Sequence, residues 1–178
     1  MVDRIIMSKG INLGYGDKNG DLIGRRWGFD IVKRWDSDRR VHYFDVYDRN
    51  KTKRVRHYWD EIETHHRIAA SLILSKMGGA WHVDLVEVDS RYKGRKLAKK
   101  LYAFLIKELG ITLMAGGLQS PGGRHIWNTL IKDRNLTIYA KKSRGSKVFD
   151  FPKAGKRELV SKMFDLYDSD AEIFAVAA

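Results

Sequence analysis

The chain has 178 residues, no cysteine, and 34 Lys and Arg against 22 Asp and Glu, a formal net charge of +12. Without thiols there is no disulfide framework, no cysteine nucleophile and no Cys-based zinc site, so packing alone must hold the fold. No apolar run approaches the roughly 18 residues of a membrane-spanning helix, Met1–Gly10 lacks the apolar stretch of a signal peptide, and the length suits one domain; the expectation is a cytoplasmic, single-domain protein with no membrane partner.

In chain order, residues 1–24 are rich in Gly, Asn and Asp and read as loop or poorly paired edge. Gly14 and Gly16 follow no strand and complete no dinucleotide fingerprint. Trp27, Phe29 and Ile31 alternate with polar or small neighbours, and Val41, Tyr43 and Val46 lie in an aromatic, β-branched run; both predict strands. Asp48-Arg49-Asn50-Lys51 carries turn residues and predicts a reversal into another strand ending near Trp59. His57, Asp60, Glu61, Glu63, His65 and His66 lie close together but match no tight ligand spacing, so a polar loop or helix is expected there and no metal.

The middle of the chain is more strongly patterned. Ile68–Ser75, the turn Met77-Gly78-Gly79-Ala80 and the alternation over Trp81–Asp89 predict a β-hairpin. Leu97, Ala98, Leu101, Tyr102, Leu105, Ile106 and Leu109 recur with helical spacing, lysines occupy the other face, and Gly110 stops the run. Ile111–Ala115 predicts a buried strand. Ser120-Pro121 reads as an N-cap and first turn, opening a helix through Ile126, Trp127, Leu130 and Ile131. Leu136–Ala140 predicts a strand, Lys141–Lys147 a basic loop, and Lys156–Tyr167 a last amphipathic helix. Strands alternating with helices from Ile68 onward predict an α/β fold with a sheet of mixed direction.

The charge is clustered. Ser90–Lys107 holds seven basic residues and no acid; Arg124–Arg157 holds ten against Asp133 and Asp150; Ser161–Ala178 is acidic. A strand feeding a basic, glycine-containing turn and then a helix gathers free N–H groups, the positive end of the helix dipole and cationic side chains at one point. Such a turn suits a pyrophosphate.

Val86-Glu87-Val88-Asp89-Ser90-Arg91-Tyr92-Lys93-Gly94-Arg95-Lys96-Leu97-Ala98 resembles the fourth strand and pyrophosphate loop of the GNAT superfamily of N-acetyltransferases. Ser120-Pro121-Gly122-Gly123-Arg124-His125-Ile126-Trp127 is similar to the start of that family's helix after its fifth strand, and Gly116–Gly123 is similar to small GNAT-type proteins of phage origin. The resemblance covers Ile68–Lys141. It implies a mixed, mostly antiparallel sheet flanked by helices in one domain: a divergent N-terminal part (1–66), a cofactor-binding core (67–141) and a C-terminal extension (142–178). It also implies acetyl transfer from acetyl-CoA to an amine acceptor. Lys93, Gly94, Arg95, Lys96, Leu97 and Ala98 would contact phosphates, Val86 and Val88 would pair by backbone with the pantetheine arm, and Ser120 stands where the family often has a cofactor-contacting Asn. The chain departs from the family pattern in two places of the loop: Lys93 stands first, where Gln or Arg is usual, and Lys96 replaces the central Gly. A position needing positive φ would be strained by that lysine.

Alternation puts His82, Asp84, Val86 and Val88 on one face of a strand. An imidazole moves protons near neutral pH, so His82 could deprotonate an ammonium directly or through water. Asp84 could orient His82, act as the base itself, or attract a cationic amine; a histidine merely satisfied at a sheet surface is the competing reading. Where the family helix often carries a tyrosine that protonates the leaving thiolate, this chain has Trp127, whose indole is no acid at neutral pH, and solvent is the expected proton donor. Two other functions stay open. One is a nucleic-acid binder or modifier, motivated by Arg124–Arg157 with Tyr139 and Phe149 among its cations. The other is an inactive interaction module, motivated by Lys96 and Trp127.

Overall fold

The computed structural model describes residues 13–16, 18–56, 61–116, 120–142, 147–150 and 171–178. The helix expected over Lys156–Tyr167, the strand end at Trp59, His57 and Asp60, and Met1–Gly10 lie outside them. The chain folds as two compact units, one ending at Ile73 and including Val86–Arg95, the other formed by Leu74–Leu85 and the residues from Lys96 onward.

The first unit is built from strands. β1 (Tyr15–Gly16), β2 (Asp21–Arg26), β3 (Phe29–Asp36), β4 (Val41–Arg56) and most of β5 (Ile62–Met77) follow one another in sequence. Their order is β2-β3-β4-β5, with β1 on β5. In β3 the consecutive residues Phe29, Asp30, Ile31 and Val32 are all buried, and in β4 so are Tyr43 to Asp48. Both strand faces are covered there, so the alternation of a half-exposed strand disappears. Three carboxylates go inside with the apolar residues and are paired. Asp45 accepts from Arg34 Nε at 2.8 Å and from the Ser71 hydroxyl. Asp30 accepts from Lys18 Nζ at 2.6 Å, and Asp48 Oδ2 accepts from the Tyr92 hydroxyl at 2.7 Å.

Three expectations fail in this unit. Glu63, His65 and His66 lie in β5, which begins at Ile62, where a polar loop or helix is expected. The Asp48–Lys51 reversal does not occur: β4 runs unbroken for 16 residues. Asp48 does act locally, its Oδ1 accepting the Asn50 N–H at 2.9 Å, but its second oxygen is held by Tyr92, and strand pairing outweighs the turn propensity. Trp27 is not a strand residue. With φ 56, and Gly28 at φ 88, it forms the two-residue link between β2 and β3, where paired positive φ values match the twist of the flanking strands. A non-glycine residue in that region costs about 1–2 kcal/mol. No helix occurs among the described residues before Ser90.

The second unit carries the α/β part. β6 (Ala80–Val88) follows β5 through Gly78-Gly79, with Gly78 at φ 58, a conformation glycine adopts freely. Then come α1 (Leu97–Leu109), β7 (Leu113–Met114), α2 (Pro121–Leu130), β8 (Leu136–Lys142), β9 (Lys147–Asp150) and β10 (Ala171–Ala177), with strand order β6-β7-β10-β8-β9. β7 runs parallel to β6 after the α1 crossover, whereas β7–β10, β10–β8 and β8–β9 are antiparallel, as are β1–β5, β2–β3 and β3–β4 in the first unit. The result is a mixed, mostly antiparallel sheet with helices. The strand expected over Ile111–Ala115 shrinks to two residues. The basic loop at Lys141–Lys147 is shorter than expected, because Lys141 and Lys142 continue β8 and Lys147 begins β9. β10 is additional to the predicted elements; its apolar run sits between β7 and β8.

Both helices have the ends that their sequences specify. Gly110 ends α1 in the left-handed region at φ 64, its N–H bonded to Leu105 O. Ser120 caps α2, its Oγ accepting the Gly123 N–H at 3.1 Å, with Pro121 in the first turn. α1 buries Leu101, Tyr102, Leu105 and Ile106, and α2 sets a fully buried Trp127 edge-on against Tyr102, centroids 6.1 Å apart at 72°. Removing such an indole costs about 3–5 kcal/mol. No helix among the described residues is long and apolar enough to cross a membrane.

Lys107 Nζ donates to Asp133 Oδ2 at 2.7 Å and ties the end of α1 to the turn after α2. Burial alone would raise the Asp133 pKa, but the bonds from Lys107 and the Asn135 N–H, with Lys99 nearby, bring it below the ordinary carboxylate value. A depressed folded-state pKa contributes stability above the unfolded pKa and loses it as pH falls through the folded one. Asp133→Asn should therefore cost about 0.5–1 kcal/mol at pH 7, and the difference in melting temperature from the parent should shrink as pH falls below the ordinary carboxylate value.

Candidate functional site

The turn between β6 and α1 is anchored before it reaches the helix. Asp89 caps a short 3-10 turn (Ser90–Tyr92), accepting the Arg91 N–H at 2.9 Å, and its other oxygen accepts Arg67 Nη1 at 3.1 Å. Tyr92 is buried, packs edge-on against Phe29 and donates to Asp48. Burial first, and then that carboxylate, push the phenol pKa well above its ordinary value, so Tyr92 stays a neutral donor. The Arg95 guanidinium stands over the Phe29 and Tyr92 rings at 5.5 and 5.8 Å. Lys93 and Gly94 are exposed, with Gly94 at φ 84. Val86 and Val88, on the final residues of β6, are half-buried. These residues belong to the first unit.

In the second unit, Lys96 is the N-cap of α1 and adopts φ 57, ψ 31, the left-handed conformation. The backbone thus takes, at a lysine, the shape that glycine supplies most easily. The first helical hydrogen bond runs from Lys100 N–H to Lys96 O at 3.0 Å, so the Leu97, Ala98 and Lys99 N–H groups precede the helical ladder. No side chain caps them and no acid lies in the first turn. Lys96, Lys99 and Lys100 instead place positive charge at the positive end of the helix dipole. That combination is unfavourable for the free helix and favourable for one that holds an anion.

His82 and Asp84 come together as the strand alternation implies. His82 Nδ1 lies 2.7 Å from Asp84 Oδ1, which also accepts from Ser75 Oγ at 3.1 Å. A carboxylate at Nδ1 selects the tautomer with its hydrogen there and leaves Nε2 with the lone pair. The β6–β7 register pairs Trp81 with Leu113 and His82 with Met114. Just beyond it Gly116 approaches β6 so closely that a Cβ would stand 2.6 Å from Val83 O, and 3.8 Å from both Cε1 and Nε2 of His82. Glycine at 116 is therefore required by the Val83 carbonyl, with the imidazole edge at ordinary contact distance beside it.

Ser120 spends its hydroxyl on the α2 cap, and Trp127 is a core side chain. No local pattern marks Ser75 or Gly116 as chemical residues; their roles depend on partners 9 and more residues away in the chain. Glu63 lies 3.0 Å from His65 Nε2, and among the described residues no group of His, Cys, Asp or Glu is arranged to hold a metal ion. In the Arg124–Arg157 region, Tyr139 is stacked on Phe174 at 5.3 Å with Lys141 over both rings, so this aromatic is packed within the fold. The Phe149 side chain lies outside the described residues.

No family model matches the sequence, and no curated protein matches it. Among solved structures, the ribosomal-protein-S18-alanine N-acetyltransferase from Escherichia coli is similar over 78% of this chain and 69% of its own, with a TM-score of 0.37 and 15% identity. That enzyme is an N-acetyltransferase, as are members of the superfamily that residues 68–141 resemble; at this TM-score the likeness carries no further weight.

Two substitutions test the backbone geometry. Lys96→Gly should raise stability by about 1 kcal/mol, read as a higher melting temperature, because it relieves the left-handed strain. Gly116→Ala should lower stability by about 1–3 kcal/mol, because backbone at Val83 must yield to the new methyl group.

Proposed function

We propose that the chain binds acetyl-CoA and transfers its acetyl group to an amine, in the manner of the GNAT superfamily, with residues 67–141 as the cofactor-binding core. The observation that carries this reading is the start of α1: unladdered N–H groups, a left-handed lysine in place of the family's glycine, and three lysines where a free helix would favour acids. This donor set fits a pyrophosphate. Lys93, Gly94 and Arg95 in the turn and Lys96, Leu97 and Ala98 at the helix opening would contact the phosphates. Val86 and Val88 would offer backbone groups to the pantetheine arm. Ser120 keeps its cap and would add at most a second contact.

When bound, acetyl-CoA supplies an acyl thioester whose carbonyl carbon accepts the amine lone pair as the C–S bond breaks. His82 Nε2 takes the proton that the ammonium must lose, and Asp84 holds the ring in the required tautomer and stabilises the imidazolium. Ser75 fixes Asp84 in turn. Trp127 is buried and its indole is no acid, so the departing thiolate takes its proton from solvent.

Calorimetry with acetyl-CoA should show saturable binding, weakened about tenfold or more by Lys99→Glu. In a thiol-release assay over a panel of primary amines, His82→Ala should lose about a hundredfold in turnover while acetyl-CoA affinity is retained. Absence of saturable acetyl-CoA binding would sink the proposal. Binding without thiol release for any amine would leave an inactive cofactor-binding module.

A further inference from the structure

Past its buried half, β4 continues into residues 49–56, which carry Arg49, Lys51, Lys53, Arg54 and Arg56 and no acid. All of these residues except Val55 are exposed. The segment belongs to a β4–β5 ribbon; over residues 61–67 the acids are the exposed Glu61 and, against His65, Glu63, two against the five cations of residues 49–56. At the root of the ribbon Asp48 is held by Tyr92, and Asp30 is held by Lys18 at one oxygen, with Arg25 Nε and Arg49 Nε 3.5 and 3.9 Å from the other, so Lys51, Lys53 and Arg54 beyond the root carry the outward charge. The outward field of the ribbon is therefore positive.

Alternation sets Arg49, Lys51 and Lys53 on one face and Arg54 and Arg56 on the other. Successive same-face side chains lie about 7 Å apart, a repeat comparable with the phosphate spacing of an extended single strand. Arg49 Nε donates to Gly28 O at 3.3 Å, so the root of the ribbon adjoins the β2–β3 turn. There Trp27, 39% exposed, is held in the left-handed region beside the exposed Arg25 and Arg26. A turn of this kind ordinarily takes Asn, Asp or Gly. A large ring displayed at a strained position beside a row of cations matches the two elements of single-strand recognition, a stacking platform and a track for the backbone.

We infer that this surface binds single-stranded nucleic acid, with phosphates along Arg49, Lys51 and Lys53 and an unpaired base on Trp27. A two-stranded ribbon can also enter a duplex major groove, but a closed duplex offers no base face to Trp27. This surface is independent of the acetyl-CoA proposal and distinct from Arg124–Arg157.

The test is fluorescence anisotropy of the full chain with labelled DNA and RNA single strands of about a dozen nucleotides, and with the matching duplexes, across a salt series. The parent should bind the single strands more tightly than the duplexes. Lys51→Gln/Lys53→Gln should weaken single-strand binding about tenfold or more and flatten the log–log salt slope by about 1.4. Trp27→Gly keeps the positive φ accessible, and with a cooperative melting transition showing that it folds, it should lose about tenfold in affinity for single strands and nothing for duplex. No binding by the parent at low salt, or binding unchanged in the double variant, would overturn the surface. Tighter duplex binding indifferent to Trp27→Gly would overturn the single-strand assignment.

Discussion

The passage from β6 into α1 is the constraint around which the candidate chemistry is arranged. The strand ends at Val88 and the helix begins at Leu97, so eight residues must leave one regular structure and enter another. Asp89 and Tyr92 fix the first half of that passage, through Arg67 and Asp48. Positive φ at Gly94 and Lys96 completes the second half. The first N–H groups of α1 precede its ladder, as in any helix, and Lys96, Lys99 and Lys100 stand at the positive end of its dipole, where cations are unfavourable.

The first half of the passage, within the first unit, depends on a buried carboxylate. Asp48 would be costly inside the sheet if left unpaired. Instead it binds Tyr92, 44 residues away in sequence, and the Asn50 N–H beside it. Asp45 performs the same service between Arg34 on β3 and Ser71 on β5. The strands are therefore joined by polar contacts as well as ladders, and losing one partner would leave a buried charge. Breaking such a pair costs about 3–5 kcal/mol, a sizeable share of the roughly 5–15 kcal/mol that separates typical folded and unfolded chains.

The features legible in the sequence are those with local causes. Helical spacing over Leu97–Leu109, the Ser120-Pro121 cap, the Gly78-Gly79 hairpin and the pairing of His82 with Asp84 all act within a few residues, and all are present in the structure. The features hidden from it have distant causes. Asp48-Arg49-Asn50-Lys51 has turn composition, yet Tyr92 claims Asp48 and the strand runs on, into the cationic ribbon that follows. β10 is a short apolar run beside an acidic stretch, and it becomes a strand because β7 and β8 stand on either side of it. Gly116 reads as one glycine in a glycine-rich stretch; only the carbonyl of Val83 gives it a specific role. For Lys96 the sequence states the condition, strain if φ is positive, and the structure supplies the sign.

The three non-glycine residues with positive φ among those described are Trp27, Arg40 and Lys96, and all three are exposed. Exposure decides whether the strain is offset. A strained residue whose side chain fills a core recovers the cost in packing; an exposed one recovers less by burial. Two of the three, Trp27 and Lys96, stand beside dense positive charge, where mutual repulsion adds to the backbone cost. At both places backbone strain and like-charge repulsion therefore act together, each adding to the cost of the same local conformation.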